Sequence, residues 1–118
     1  MMFRIAKQFM FSASHQLHGL PVDHPCGRIH GHNYTVEIIL ESDEVDGRGF
    51  VRDYGELSEI GDWIDQHLDH RHLNDMVAIP PTAENIALHI FYKFRLAFPE
   101  MEAVRVSETP KTWAEYSR

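Results

Sequence analysis

His30 and His32 stand two residues apart in the run CGRIHGHNY, and in a chain of period two both imidazoles leave the same face, about 7 Å apart at the backbone. A third histidine, His15, closes an earlier run, FSASHQL. If these runs are antiparallel neighbours, the end of the first meets the start of the second and three ring nitrogens face one point. Three imidazoles with a fourth tetrahedral position left open are the ligand set of catalytic zinc, and an all-nitrogen set suits neither calcium nor magnesium. The same spacing fits two other readings: histidines hydrogen-bonded or exposed at strand ends, and a closed structural site with Cys26 as fourth ligand. What completes the coordination sphere, Cys26 or solvent, separates the closed site from the open one.

Cys26 is the single cysteine, four residues before His30 and two before Arg28, in a loop bounded by Pro25 and Gly27. Nearby positive charge favours a reactive thiolate, whereas an apolar setting makes such a residue a small inert hydrophobe. Asp69 and His70 fall in LDHRHLND, where a carboxylate orienting an imidazole would suit acid–base chemistry and a solvated helix end is the plainer reading. Glu108 shares the inward face of a strand with Val104 and Val106, a costly place for a carboxylate without a donor. A cationic or amide-like ligand edge would supply one, and so would an ordinary arginine or backbone group. Thr82 and Glu84, after Pro80 and Pro81, open a helix and can serve as cap or as ligand contact.

The elements that must hold these residues follow from periodicity. Phe3, Ile5, Phe9, Phe11 and Ala13 alternate up to His15 and predict a half-buried strand. Gln16 to Ile29, with Gly19, Pro21, Pro25 and Gly27, predicts a long irregular loop. A second strand is expected from about His30 to Ser42, with Tyr34, Val36, Ile38 and Leu40 on the histidine face. Asp53 with Glu56 resembles a capping box before Leu57, Ile60, Ile64 and Leu68, which recur at helical spacing. LDHRHLND is expected to be irregular, and a second helix, capped by Thr82, buries Ile86, Ile90 and Phe94 and stops before Pro99. Val104, Val106 and Glu108 predict a third strand, and a shorter fourth follows Pro110. The expected fold is α+β: a four-stranded antiparallel sheet with two helices on one face, in the order strand, strand, helix, helix, strand, strand.

With 118 residues, 43% hydrophobic and 25% charged, residues 1–118 fit one globular domain. So small a core makes oligomerisation a plausible added source of stability. A formal charge of −7 without a basic run excludes nucleic acid as the expected partner. One cysteine allows no intrachain disulfide, which suits a reducing compartment. No signal-like segment and no apolar run near the roughly 20 residues of a membrane span are present, so a soluble, cytoplasmic protein is expected.

FSASHQL, CGRIHGHNY, LDHRHLND, PTAEN and SETP, in this order and spacing, resemble the 6-pyruvoyl tetrahydropterin synthase family over nearly the whole chain. The short spacing between Cys26 and His30 looks like its bacterial carboxy-forming branch. The resemblance implies a lyase that converts 7,8-dihydroneopterin triphosphate to 6-carboxy-5,6,7,8-tetrahydropterin, with release of acetaldehyde and triphosphate, in deazapurine (queuosine-type) biosynthesis. The pyruvoyl-forming reaction and epimerase or aldolase chemistry are enzyme alternatives, and a zinc-stabilised binding module without turnover is the rival from another class. It also implies Zn2+ on His15, His30 and His32, Cys26 as general base, and Asp69 with His70 in its proton relay. Glu108 would anchor the pterin's guanidine-like edge, with Thr82 and Glu84 along the pocket. The implied scaffold is the tunnelling fold, a hexamer of two stacked trimers with sites between subunits, so that Cys26 of one chain meets Asp69 and His70 of another. The ending PKTWAEY departs from some bacterial relatives and leaves its contacts open.

Overall fold

Alternation at the N-terminus becomes a long hairpin. In the computed structural model, which describes residues 1–118, β1 (Phe3–His15) pairs antiparallel with β2 (His30–Ser42), from Phe3 opposite Ser42 to His15 opposite His30. Phe11, Ala13, Tyr34, Val36, Ile38 and Leu40 fall on one face and are buried there. That face carries the core.

Asp53 caps a short 3-10 turn (Tyr54–Leu57) by accepting from the Gly55 amide at 2.8 Å, and helix α1 (Ser58–His67) follows it. The expected capping box is therefore only half made: Glu56 turns to Arg52, 3.5 Å away, instead of returning to the cap. Leu57, Ile60, Ile64 and Leu68 pack on the sheet and are at most 1% exposed. Burial of such a side chain contributes roughly 1.5–3 kcal/mol each, which decides where the helix sits.

LDHRHLND is more ordered than its composition predicts. Arg71–His72 form a short strand, β3, parallel to β1 at Ala13 and Ser14, and Leu73–Met76 form a one-turn helix, α2. Helix α3 (Ala83–Phe94) and strands β4 (Met101–Thr109) and β5 (Thr112–Ser117) complete the chain. The sheet has five strands in the order β3-β1-β2-β4-β5, not four, with both long helices on one face. Two residues carry no readable period; β3 exists because the hairpin offers it the edge of β1. From Phe3 to Phe11 that edge has no strand partner, and neither does the outer edge of β5. No helix is long and apolar enough to cross a membrane.

Thr82 is the N-cap of α3, its Oγ1 accepting from the Asn85 amide at 3.2 Å. Loss of such a cap costs about 1 kcal/mol, so Thr82→Ala is expected to lower unfolding stability by that amount in urea titrations. An unchanged midpoint and slope would show that water serves the cap equally well.

Candidate metal centre and acid–base pair

The hairpin register sets His15 directly opposite His30, and the pleat adds His32 on the same side. The three rings meet edge to face, with centroids 4.5 to 5.2 Å apart. One ring nitrogen from each lies within 4.8 Å of the others, and Cys26 is not in the group. The fourth-ligand reading of Cys26 thus finds no support in this geometry.

The second nitrogens decide what the first ones present. His15 Nδ1 lies 2.7 Å from the Pro81 carbonyl oxygen and His30 Nδ1 lies 2.7 Å from that of Arg28. A carbonyl only accepts, so both Nδ1 atoms carry hydrogen, and each neutral ring is left with a lone pair on Nε2. These two Nε2 atoms stand 2.9 Å apart. Two lone pairs at that distance repel unless a cation or an added proton lies between them. His32 Nε2 is buried and without a hydrogen-bond partner; the Glu108 carboxylate is 3.0 Å away but poorly aligned to accept. Burial holds the His32 imidazole below the usual histidine range, against the opposing pull of Glu108, which favours the neutral, ligating form. An orphaned nitrogen and two opposed lone pairs fit a metal ion. The carbonyl partners play the part that outer groups play around histidine ligands, fixing tautomer and ring direction.

Three contributors to this centre were missed in the sequence. The Pro81 and Arg28 carbonyls have no side-chain signature. Tyr34, two residues beyond His32 on the same face, was read only as core; its hydroxyl lies 3.3 Å from His15 Nδ1 and its ring stacks on Phe11 at 4.6 Å. Burial pushes that hydroxyl up, so it stays protonated. Glu108 reaches the group as well, 3.4 Å from His15 Nε2.

Asp69 and His70 do bond each other, through His70 Nδ1 and Asp69 Oδ2 at 2.8 Å. Asp69 Oδ1 accepts from the Ser12 amide at 2.8 Å, and the His70 amide donates to the Ser12 carbonyl at 2.6 Å. The Ser12 amide, and after it the His70 ring, hold the Asp69 carboxyl below the usual carboxylate range, so it stays ionised at neutral pH. His70 has φ of 58°, the left-handed region, and its side chain is 82% exposed. It lines a cavity of about 520 Å³ with Ser12, Ser14, Asn33 and His72, and His32 lines the same cavity. Ser12, Ser14 and Asn33 occupy the positions of β1 and β2 that alternate with His15 and His32. Within one chain, the pair therefore sits at the β1 edge, bonded to Ser12, in a cavity that His32 shares but that neither His15 nor His30 lines.

Cys26 sits half-buried in a 3-10 turn (Pro25–Gly27). Its amide donates to His24 Nδ1 at 3.1 Å, and its carbonyl accepts from the Leu17 amide at 3.0 Å. That second bond ties the cysteine loop to the end of β1. Glu84 is exposed in the first turn of α3, beside the Thr82 cap.

Scaffold and centre together define a tunnelling-fold protein with a three-histidine group able to hold a metal ion. The chain belongs to the 6-pyruvoyl tetrahydropterin synthase family, whose model matches residues 4–118. It is 35% identical to a 6-carboxy-5,6,7,8-tetrahydropterin synthase of Synechocystis sp., over 98% of this chain and 93% of that one. It is 36% identical to a 6-pyruvoyl tetrahydrobiopterin synthase of Drosophila melanogaster, over 95% of this chain and 77% of that one. The solved 6-pyruvoyl tetrahydropterin synthase of Caenorhabditis elegans superposes with a TM-score of 0.87 at 28% identity, covering 99% of this chain and 96% of that one.

Proposed function

We propose that residues 1–118 form one zinc-dependent 6-carboxytetrahydropterin synthase domain. It would convert 7,8-dihydroneopterin triphosphate and one water to 6-carboxy-5,6,7,8-tetrahydropterin with loss of acetaldehyde and triphosphate, a lyase step of deazapurine biosynthesis. The observation that carries this reading is the three-imidazole group with no cysteine in it, which leaves a coordination position for substrate. When bound there, zinc supplies Lewis acidity, lowering the pKa of substrate hydroxyls. The three-residue gap between Cys26 and His30 favours the carboxy-forming product.

The chain's own groups divide the remaining work. His15, His30 and His32 bind the ion through nitrogens whose direction Pro81 and Arg28 hold. Cys26 takes a proton from the substrate side chain, and His70, oriented by Asp69 through its Nδ1, leaves Nε2 free to take up or return one. Glu108 accepts from the amide and amino donors of the pterin edge, with Thr82 and Glu84 along the pocket. Because Asp69 and His70 sit exposed at the β1 edge, in a cavity that neither His15 nor His30 lines, we assign them to a neighbouring chain's site. The unpartnered edges of β1 and β5 support closure of such sheets into a barrel, in a hexamer of two trimers working in the cytoplasm.

Product analysis tests the reaction. Zinc-loaded protein given 7,8-dihydroneopterin triphosphate is expected to yield acetaldehyde and the 6-carboxy product in equal amounts. A 6-pyruvoyl product without acetaldehyde would favour the pyruvoyl synthase reading instead, and no turnover by zinc-replete hexamers would favour the binding module.

A further inference from the structure

Asn74, in the one-turn helix α2, belongs to none of the groups given chemistry above, yet its half-buried carboxamide is spent entirely on the backbone of one residue. Its Oδ1 accepts from the Gln16 amide at 2.9 Å and its Nδ2 donates to the Gln16 carbonyl at 2.8 Å. Gln16 directly follows His15. Strand β3 pairs with β1 only at Ala13 and Ser14, so the ladder has ended where Gln16 begins, and the planar side chain supplies one more rung.

Two peptide units are fixed in this way. The unit joining His15 to Gln16 has its N–H on Asn74, which sets the backbone on the C-terminal side of the histidine. The unit joining Gln16 to Leu17 has its oxygen on Asn74 and its N–H on the Cys26 carbonyl at 3.0 Å. The Gln16 side chain adds a third tie, donating from Nε2 to the Gly27 carbonyl at 3.0 Å. Asn74 also shares a cavity wall with Gln16, Pro80 and Pro81, and the Pro81 carbonyl is the group that holds the His15 ring. One carboxamide thus stands between the backbone anchor of His15, its ring anchor and the loop of Cys26.

We infer that Asn74 is a positioning residue that aims His15 at the metal and holds the Cys26 loop beside it, acting through the Gln16 backbone. The inference rests on the metal-site reading above. Replacing Asn74 by alanine leaves the backbone N–H and C=O of Gln16 without the carboxamide and removes the tie on the C-terminal side of His15, whose strand pairing with His30 remains. Replacement by aspartate keeps an acceptor for the Gln16 amide but turns an oxygen towards its carbonyl, so only half the clamp survives.

The measurement is zinc affinity, by chelator competition on the refolded oligomer, together with the visible spectrum of the cobalt(II)-loaded protein. Asn74→Ala is expected to bind zinc about 10- to 100-fold more weakly than wild type, the usual consequence of losing an outer group that orients a ligand. Its cobalt bands should shift. Asn74→Asp should weaken binding as well, and serves if the alanine variant does not fold. As a control, Arg52→Met removes the ion pair to Glu100, with Nε to Oε2 at 2.8 Å, near the far end of the hairpin; it should lower the melting temperature and leave affinity and spectrum unchanged. Wild-type affinity and spectrum in the Asn74 variants would overturn the inference, and so would equal weakening in Arg52→Met, which would make the effect one of general stability. Wild-type protein that binds no zinc would overturn the metal reading itself, and this inference with it.

Discussion

Wild-type protein is expected to carry about one zinc per chain, and His30→Ala or His32→Ala almost none, because a site built from three neutral donors has no spare ligand. The geometry makes the loss steep. His32 Nε2 is buried without a hydrogen-bond partner, so no aligned protein group takes the ion's place on the neutral ring. In His30→Ala the lone pair of His15 no longer has an opposing nitrogen 2.9 Å away, and the main electrostatic demand for a cation disappears with it. Metal analysis after dialysis against a weak chelator reads the result directly. Full zinc retention in both variants would sink the ligand set. The paired measurement on Cys26→Ala separates base from ligand: that variant should keep its zinc, since Cys26 lies outside the group of convergent nitrogens.

Cys26→Ala and His70→Ala are each expected to lose about 100- to 10,000-fold in turnover, the range for removal of a general acid or base, yet to recover activity together. The expectation follows from the position of His70, exposed at the β1 edge in a cavity that neither His15 nor His30 lines. If each site takes its thiol from one chain and its imidazole from the next, co-refolding equal amounts restores both groups in about a quarter of sites, as random pairing across a heterologous interface requires. Each variant refolded alone should stay inactive. Mixtures that stay inactive despite confirmed subunit exchange and normal zinc content would place the pair in its own chain's site or outside catalysis altogether.

Strand periodicity was enough to bring the three histidines together on paper. Phe9, Phe11 and Ala13 carry their face down to His15, Tyr34 and Val36 carry theirs up to His30 and His32, and one antiparallel hairpin makes the ends meet. The same period placed Glu108 inward on β4, where it stands 3.0 Å from His32. The cap at Thr82 was legible for a related reason: it is a local bond, closed within three residues.

Only the tertiary structure decided the rest, and in each case the missing partner was backbone or an edge. Whether Asp69 and His70 bond each other depends on Ser12, whose amide and carbonyl hold the pair against β1. Pro81 and Arg28 act on the histidines through carbonyl oxygens that every residue possesses, so neither name announces the role. β3 and the Asn74 clamp arise from the unpaired edge of β1, which does not exist until the hairpin has folded. Side-chain type and spacing encode which groups can share a face; which backbone atoms then satisfy them is settled, the local Arg28–His30 bond apart, by contacts between segments far apart in the chain.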